Sequence, residues 1–477
     1  MGWEHVDLPN GESMGLSSIH LDFLKPSSRL GEMYLGLGGY GAVTGDRGGL
    51  FVWGPSAGIR RKIIGELALD SGFFVGGGGG AGAPQGGGLM IRPHIGLEHP
   101  FGPVNLRLEA SHVRFPLGDI ASTGIYLGIT IPWSYYSARN ALAGNEPQLE
   151  HWSDSNHRIG PTFMTYMPVN STTRSGTKLS GPIGLAGLSY QYFMNDNWYL
   201  PAEAYGAMSG GVSGYMTVLG GLGYEDLLSQ RSRWNIQMLL GAGGGGDVDT
   251  GGGILIQPMA GVGWQVSKNW MFKLMGGYTW SMNGQFQAPT VAGMFYWSPR
   301  GIDFPSDTGQ GKYVLSENVA ELDTWKITLN DKIYFPASTA RTKSGGVHES
   351  TLHLINVGLE KPLSSWLSIT GHGASAAAGG AGGYSEGLLG LRAHHHLFQW
   401  YGNHELGFNL EAGAAGGGGM DVGSGFIGQA TAGWRWDFSD NWTFNASAGI
   451  MRPLEGSFKA SVLDLGLIYN FGRGRAK

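Results

Sequence analysis

Apolar and polar positions alternate along most of this chain, and the alternation is clearest in a glycine-rich unit that occurs three times. The copies span residues 75–98, 239–264 and 411–436. Each copy joins a run of glycines to a strand of about ten residues with one apolar face, which is the pattern of a β-hairpin with a glycine-rich tip. Because the three copies keep the same register, the repeat is structural.

The succession of strands repeats over longer distances as well. About eight strands are predicted in each of three repeats, which with their linkers and tail span residues 1–133, 134–156 (linker), 157–297, 298–321 (linker), 322–471 and 472–477 (tail). The sequence therefore predicts an all-β fold, a transmembrane antiparallel β-barrel of about 24 strands in which three eight-strand repeats close one barrel. Three eight-stranded barrels in a row are the alternative.

Short turns on one rim of the predicted barrel carry a tryptophan where the next strand begins. These residues are Trp198, Trp270, Trp366 and Trp442. A tryptophan ring is apolar while its N–H needs a polar partner, so a row of them at one level is typical of a membrane interface. The opposite loops are longer and richer in glycine, and this asymmetry is typical of an outer-membrane barrel.

Composition narrows the classes of protein further. Of 477 residues, 86 are glycine and none is cysteine, and the net charge is −5. The glycine content argues against helices, the charge gives no electrostatic basis for nucleic-acid binding, and the lack of cysteine removes disulfides and thiolate metal sites. No run of 18 apolar residues occurs, so no helical membrane span is expected. The first residues lack a signal-peptide pattern, so an exported form is expected to be already processed or recombinant.

The last strand carries a more specific pattern. Asp464, Gly466, Tyr469 and Phe471 follow the spacing polar, glycine, aromatic, aromatic, with apolar residues between them on one face. This resembles the terminal β-signal of bacterial outer-membrane β-barrel proteins, although six residues follow the final aromatic here. The resemblance implies localisation in the bacterial outer membrane, contact with its lipid, and assembly by the barrel assembly machinery.

Three groups of residues were weighed as chemical sites. Gly36, Gly38 and Gly41 have dinucleotide-binding spacing, but no helix follows them. Ser111 and His112 lie near Glu109, but neighbouring strand residues face opposite ways and cannot act as nucleophile and base. The histidine cluster comprises His394, His395, His396 and His404 with Glu405, and because adjacent strand residues alternate faces it is interpreted as a solvated rim. We therefore expect no enzyme activity, no cofactor and no metal.

The polar faces of the strands suggest a function. The predicted lumen-lining residues are Arg92, His94, Arg107, Glu109, Gln257, Lys273, Gln429 and Arg435. They predict an outer-membrane channel, a passive porin or export conduit for a polar substrate, with the linkers as plugs or docking segments and a sister subunit or secretion partner as further contacts. A structural or surface-interaction protein with a sealed, glycine-rich barrel is the alternative. In the first copy Ile91 is expected to face lipid and Met90 the lumen, where an arginine would be tolerated.

Overall fold

Strands make up most of the described chain. The computed structural model describes residues 1–9, 11–27, 31–102, 104–132, 138–139, 157–267, 269–298, 320–439 and 441–476. No helix long and apolar enough to cross a membrane occurs within these ranges.

Each repeat forms its own closed antiparallel barrel of eight strands. The first barrel contains β1 (Gly2–Asp7), β2 (Ser13–Ser27), β3 (Gly31–Thr44), β4 (Phe51–Ile64), β5 (Leu67–Gly79), β6 (Met90–Phe101), β7 (Val104–Arg114) and β8 (Ala121–Thr130). A two-residue strand, β9 (Ala138–Arg139), follows it and pairs with the last strand of the chain.

The second and third barrels repeat this order. The second contains β10 (His157–Tyr166), β11 (Ile183–Phe193), β12 (Trp198–Ala207), β13 (Met216–Leu227), β14 (Ser232–Gly244), β15 (Ile254–Ser267), β16 (Trp270–Ser281) and β17 (Gln287–Trp297). The third contains β18 (Ala320–Pro336), β19 (Leu352–Pro362), β20 (Leu367–Ala378), β21 (Ser385–Gln399), β22 (Asn403–Gly416), β23 (Phe426–Asp437), β24 (Trp442–Pro453) and β25 (Ala460–Ala476).

The three eight-strand repeats are confirmed, but the prediction that they close one 24-strand barrel is wrong. The first and last strands of each repeat pair with each other: β1 with β8, β10 with β17 and β18 with β25. That pairing uses the edge that a neighbouring repeat would need, so no strand of one repeat is left to pair with a strand of the next. Alternation along the chain predicts how many strands form, whereas closure depends on which strands pair over long sequence distances. The strand β25 also continues through 472–476, which the sequence set apart as a tail.

The two ends of each barrel differ. We call the end where the first strand begins and the last strand ends the terminal rim, and the opposite end the glycine-rich rim. Turns at the terminal rim are short, as between β4 and β5, whereas the connection from β5 to β6 at the glycine-rich rim spans 80–89. This asymmetry agrees with the sequence. The predicted linkers lie almost entirely outside the described residues.

A layer of buried aromatic and aliphatic side chains closes each interior near the glycine-rich rim. In the second barrel it includes Tyr166, Tyr215 and Phe286, and in the third it includes Tyr334, Tyr384 and Phe458 at the corresponding places. The first barrel holds Tyr40, Phe74 and Phe115 in its layer. Ring centroids lie 4.9 Å apart for Tyr40 and Phe74 and 5.4 Å apart for Tyr166 and Phe286, so the rings pack directly. We call these layers the aromatic plugs.

Glycines on neighbouring barrels bring the three barrels into contact around a common centre. A Cβ placed on Gly49 would overlap the backbone of Gly245, one on Gly214 that of Gly417, and one on Gly383 would stand 2.9 Å from the nitrogen of Gly80. Within each barrel the same glycines pack in pairs: Gly80 on Gly49, Gly245 on Gly214, and Gly417 on Gly383. The six residues therefore form a closed ring, the glycine ring, in which the loop after the third strand of one barrel contacts the end of the fifth strand of the next.

Hydrogen bonds and side-chain contacts extend each of these interfaces. Leu89 N donates to Ala377 O at 3.1 Å, which joins the first barrel to the third, and Gly48 N donates to Gly251 O at 3.1 Å, which joins the first to the second. Arg174 of the second barrel donates to Gly48 O of the first at 2.7 Å. The contacts are heterologous and follow the same direction around the centre, so the chain has the arrangement of a cyclic trimer.

The glycine ring predicts unequal effects for alanine at two glycines of one loop. Gly214 and Gly211 both lie between β12 and β13, with φ of 87° and 72°, so alanine costs about 1–2 kcal/mol of backbone strain at either position. Only at Gly214 does the new Cβ meet the next barrel, since nothing lies within 4 Å at Gly211. Overpacking should therefore destabilise Gly214→Ala by about 1–3 kcal/mol more than Gly211→Ala. In detergent, the thermal unfolding midpoint of Gly214→Ala should be correspondingly lower than that of Gly211→Ala. Equal midpoints for the two variants would rule out a tight contact at the ring.

Candidate functional site

The interior of the first barrel is filled by ion pairs on the terminal side of its plug. The guanidinium of Arg92 lies 2.8 Å from Glu4 Oε1 and 3.2 Å from Glu109 Oε2. Arg107 approaches Glu109 Oε1 to 2.6 Å. The side chain of Arg92 is only 2% exposed, so the pairs are shielded from water and each charge depends on its partner.

A second cluster in the same interior is centred on Asp70. His94 Nε2 lies 3.0 Å from Asp70 Oδ1, the hydroxyl of Tyr34 donates to the same oxygen at 3.0 Å, and Arg60 Nε donates to Oδ2 at 3.3 Å. The structure thus places Arg92, His94, Arg107 and Glu109, the four residues that the sequence selected from this repeat, inside the first barrel.

The second barrel holds one cluster of charges near its terminal rim. Lys273 Nζ donates to Glu225 Oε2 at 2.7 Å, and Arg158 Nη1 donates to the two carboxylate oxygens at 2.9 and 2.8 Å. Lys273 and Glu225 are both 0% exposed. Gln257 lies nearer the plug, where its Oε1 accepts from Tyr166 at 3.2 Å and from Thr279 at 2.9 Å.

The third barrel repeats this chemistry with other residues. Lys332 Nζ donates to Glu386 Oε1 at 2.8 Å and to Gln429 Oε1 at 3.1 Å. Closer to the terminal rim, Arg435 Nη1 lies 2.8 Å from Glu360 Oε2. Gln429 and Arg435 therefore also point inward, so all eight predicted interior residues lie inside a barrel, but they are distributed over three separate interiors.

These interiors are packed, and the reason is their size. An eight-stranded barrel is just wide enough for side chains to fill it, whereas a barrel with well over sixteen strands leaves an aqueous channel. Met90 shows the consequence, because its side chain is fully buried in the apolar cluster of the first barrel. Water does not line this position, so the expectation that an arginine would be tolerated at Met90 is wrong.

Sequence reasoning missed several partners of the residues it selected. Glu4, Asp70, Glu225, Lys332 and Glu386 are all buried in the interiors. The signal for Lys332 was available, since it stands two residues from Asn330 and Tyr334 on one face of β18. Glu225 was harder to find, because the inward positions before it in β13 are Thr217, Leu219, Gly221 and Gly223, which show no polar face.

The four predicted interface tryptophans lie at the terminal rims of the second and third barrels, and all are exposed. Trp198 packs edge-on against Tyr224 with centroids 5.1 Å apart, and Trp442 lies 5.0 Å from Tyr469. Further exposed tryptophans near the terminal rims are Trp3 of the first barrel and Trp234 and Trp264 of the second. Aromatic side chains therefore form a band around this end of the molecule, as membrane interfaces select.

The terminal motif lies on the strand that closes the third barrel. Asp464 is buried in the interior and Tyr469 is exposed. A Cβ on Gly466 would overlap Leu329 O of β18, so glycine permits close approach at the seam. The backbone of Phe471 pairs with Trp325 of β18 and Arg139 of β9. The role of these residues in assembly stays a prediction.

The serine–histidine pair and the glycine motif do not form chemical sites in the structure. Ser111 donates to Glu4 Oε2 at 2.6 Å inside the first barrel, whereas His112 bonds to Thr123 Oγ1 at 2.8 Å on its outer side. Gly36, Gly38 and Gly41 all lie within strand β3, with no helix after them. Neither group has the geometry its chemistry requires, and the absence of enzyme activity stays a prediction.

Two loop residues at the glycine-rich rim have perturbed acidities. Hydrogen bonds from Ser457, whose hydroxyl donates to Asp421 Oδ2 at 2.7 Å, hold the pKa of Asp421 below its ordinary value. Burial lowers the pKa of Lys343, whose ammonium donates to Ser213 O of the second barrel at 3.1 Å. Lys343 occupies the place in the third barrel that Arg174 has in the second, so a cation links each of these barrels to the one before it.

Comparisons with known proteins give limited similarity. No protein-family model matches the sequence, and no curated protein matches it. Among solved structures, a protein titled "De novo design of transmembrane beta-barrels" matches at 14% identity with a TM-score of 0.21, covering 31% of this chain and 98% of that one. OpdQ of Pseudomonas aeruginosa matches at 9% identity with a TM-score of 0.23, covering 99% of this chain and 95% of that one. The copper transporter OprC matches at 8% identity with a TM-score of 0.30, covering 99% of this chain and 79% of that one. Such TM-scores do not establish a shared architecture.

The buried ion pairs predict a strong effect for one carboxylate. Glu225→Gln leaves Lys273 and Arg158 without their charged partner in a dry interior, and we expect it to reduce the free energy of unfolding by about 3–5 kcal/mol. Glu66→Gln removes a pair with Lys62 whose side chains are 64% and 68% exposed, and should cost at most about 1 kcal/mol. Urea titration of both variants in detergent measures the difference. A Glu225→Gln protein as stable as the Glu66→Gln protein would mean that the second interior is wet.

Proposed function

We propose that this chain is an integral protein of the bacterial outer membrane whose three sealed barrels form a rigid scaffold. The observation that carries the proposal is the combination of an apolar outer surface with filled interiors. In a soluble barrel or sandwich the apolar side chains would point into the core and the charges outward. Here large apolar side chains cover the outside, while the interiors hold paired charges.

The outer surface supports a lipid environment. Ile125 of the first barrel is 63% exposed, Phe163 of the second 60% and Leu410 of the third 62%, and each lies on the outward face of its strand. Soluble proteins rarely expose contiguous apolar patches beyond a few hundred Å². Closed barrels, in contrast, satisfy every backbone hydrogen bond internally and can stand in hydrocarbon.

The rims support an orientation within that membrane. The tryptophan band fits one interface, and short turns at the terminal rim fit the periplasmic side of an outer-membrane barrel. The terminal motif at Asp464, Gly466, Tyr469 and Phe471 fits recognition by the barrel assembly machinery. The glycine-rich rim and its loops then face outward from the cell. Lipid and the assembly machinery are the expected contacts of the barrels. A sister subunit or a secretion partner could dock on the exposed loops.

A scaffold role follows from the plugs and the glycine ring. The aromatic plugs stop each interior at the glycine-rich rim, and the ring holds the three barrels in one arrangement. A sealed, rigid platform of this kind presents its loops in fixed positions, which suits a structural or surface-interaction protein better than a wide conduit.

A channel is the second candidate, favoured by one observation. The interiors are polar between the plugs and the terminal rim, as the cluster of Arg92, Glu4 and Glu109 shows. Displacement of a plug would join this polar interior to the outside and give a narrow path for ions or a small polar substrate.

Planar bilayer recordings distinguish the two candidates. Because each plug is packed, we expect the purified protein to give no resolved conductance steps under conditions in which a general porin, added as the control, conducts. Steps that persist in the wild-type protein and change in size in the Glu225→Gln variant would favour the channel over the scaffold.

The membrane surface itself is tested by the depth at which a charge is placed. Ile95 lies midway along β6 and is 53% exposed, and Ile64 lies at the terminal rim and is 76% exposed. Ile95→Arg should reduce the free energy of folding in lipid vesicles by about 2–4 kcal/mol, and Ile64→Arg by about 0–1 kcal/mol. Equal, small costs at both positions would show that the outer surface does not contact lipid, and both candidate functions would then fail.

A further inference from the structure

We propose that His394, His396 and Glu405 form a binding site for a divalent transition-metal ion of the zinc type at the terminal rim of the third barrel. The site is separate from the plugs and does not depend on whether the barrels conduct.

The topology of two neighbouring strands brings the three side chains together. His396 in β21 stands directly opposite Glu405 in β22, and His394 is two residues away from His396 on the same face of its strand. One potential ligand atom from each residue lies within 4.8 Å of the others. Around a tetrahedral zinc ion with bonds near 2.1 Å, ligand atoms stand roughly 3.4 Å apart. The 3.2 Å between His394 Nδ1 and Glu405 Oε2 already matches that spacing.

His394 is oriented as a metal ligand would be. Its side chain is 6% exposed, and its Nδ1 faces Glu405 Oε2 at 3.2 Å without forming a hydrogen bond of good geometry within the described residues. A cation between the two atoms would therefore contact both of them. Its other ring nitrogen, Nε2, lies 3.2 Å from Ser368 Oγ. A hydroxyl that accepts from Nε2–H fixes the tautomer with a free lone pair on Nδ1, which is the usual support for a metal-binding histidine.

Glu405 divides its two oxygens between different partners. Arg392 Nη2 donates to Oε1 at 2.7 Å, and Oε2 points to His394. The arginine therefore orients the carboxylate and leaves one oxygen for an ion. His396 is exposed, so a rotamer change can bring its imidazole onto the ion from the solvent side. The guanidiniums of Arg392 and Arg435 both approach Oε1, at 2.7 and 3.9 Å, and oppose any cation. Because two of the three ligands are imidazoles, the site favours zinc-type ions over calcium or magnesium, which prefer oxygen ligands.

The other two histidines of the cluster do not belong to the site. His395 points to the opposite face of β21. Both ring nitrogens of His404 are engaged, Nε2 with Trp400 O at 2.9 Å and Nδ1 as acceptor from Trp434 at 3.1 Å. The alternation that argued against three adjacent ligands therefore leaves two of them, His394 and His396, on one side.

The test is isothermal titration of the full chain with Zn²⁺ in detergent, after treatment with a chelator and without a histidine tag. We expect one ion per chain, loss of that binding in His396→Ala and His394→Ala, and an affinity reduced about tenfold or more in Ser368→Ala, which removes only the positioning hydroxyl. His395→Ala is the matched control on the same strand and should bind as the wild type does. Circular dichroism of each variant checks that the barrels are folded, and the exposed His396 keeps the test valid if His394→Ala does not fold.

Electron paramagnetic resonance with Cu²⁺ gives an independent result. Coupling to two imidazole nitrogens is expected in the wild type, and to one in His396→Ala. The proposal is overturned if His395→Ala weakens Zn²⁺ binding as much as His396→Ala, or if a folded variant lacking both His394 and His396 still binds one ion with unchanged affinity. These measurements use folded protein in detergent, so their failure would leave the membrane scaffold intact.

Discussion

The packing of the three barrels against one another depends on the close approach of glycine backbones at the centre of the molecule. At Gly49, Gly214 and Gly383 the loop of one barrel packs directly on main-chain atoms of the next, and any side chain would hold the barrels apart. Strands elsewhere in the chain bury side chains against one another. At the glycine ring the barrels contact each other through backbone atoms and not through side chains. Ordering each glycine costs conformational entropy, but the absence of side chains lets the three barrels pack directly. The glycine-rich unit that dominates the sequence is therefore an interface between barrels.

The number of strands in each barrel then determines what its interior can hold. Eight strands enclose a space that side chains fill, so inward charges have no bulk water to solvate them. They can be accommodated only as pairs and networks, since an unpaired buried charge costs several kcal/mol. This explains why carboxylates and cations alternate around Arg92, Lys273 and Lys332 in the three interiors. In the proposed membrane location, lipid would take the place of the apolar core that a soluble protein forms.

The sequence predicted much of the fold and part of the site. It predicted features that depend on local alternation and not those that depend on long-range strand pairing. The eight strands of each repeat were predicted correctly because alternation is a local property. The inward direction of Arg92, Gln257 and Arg435 followed from the same alternation. Closure into three barrels was only the alternative prediction, because the pairing of β1 with β8 joins residues more than a hundred positions apart and leaves no local signal. Each repeat instead closes on its own first strand.

Covalent linkage changes what a ring of three barrels can become. A heterologous interface closes into a ring only if each copy presents both of its surfaces. Within one chain the linkers set the effective concentration of each barrel near the others. The three repeats therefore need to share only the glycines that form the ring. The remaining positions are free to diverge. The cation that joins neighbouring barrels is Arg174 in the second and Lys343 in the third, while the first barrel, whose β1–β2 loop is much shorter, contributes Gln85, which donates to Gly382 O at 3.2 Å. The paired histidines of β21 belong to the third barrel alone. Function specific to this protein is therefore expected where the three barrels differ, because the shared features are already explained by closure and contact.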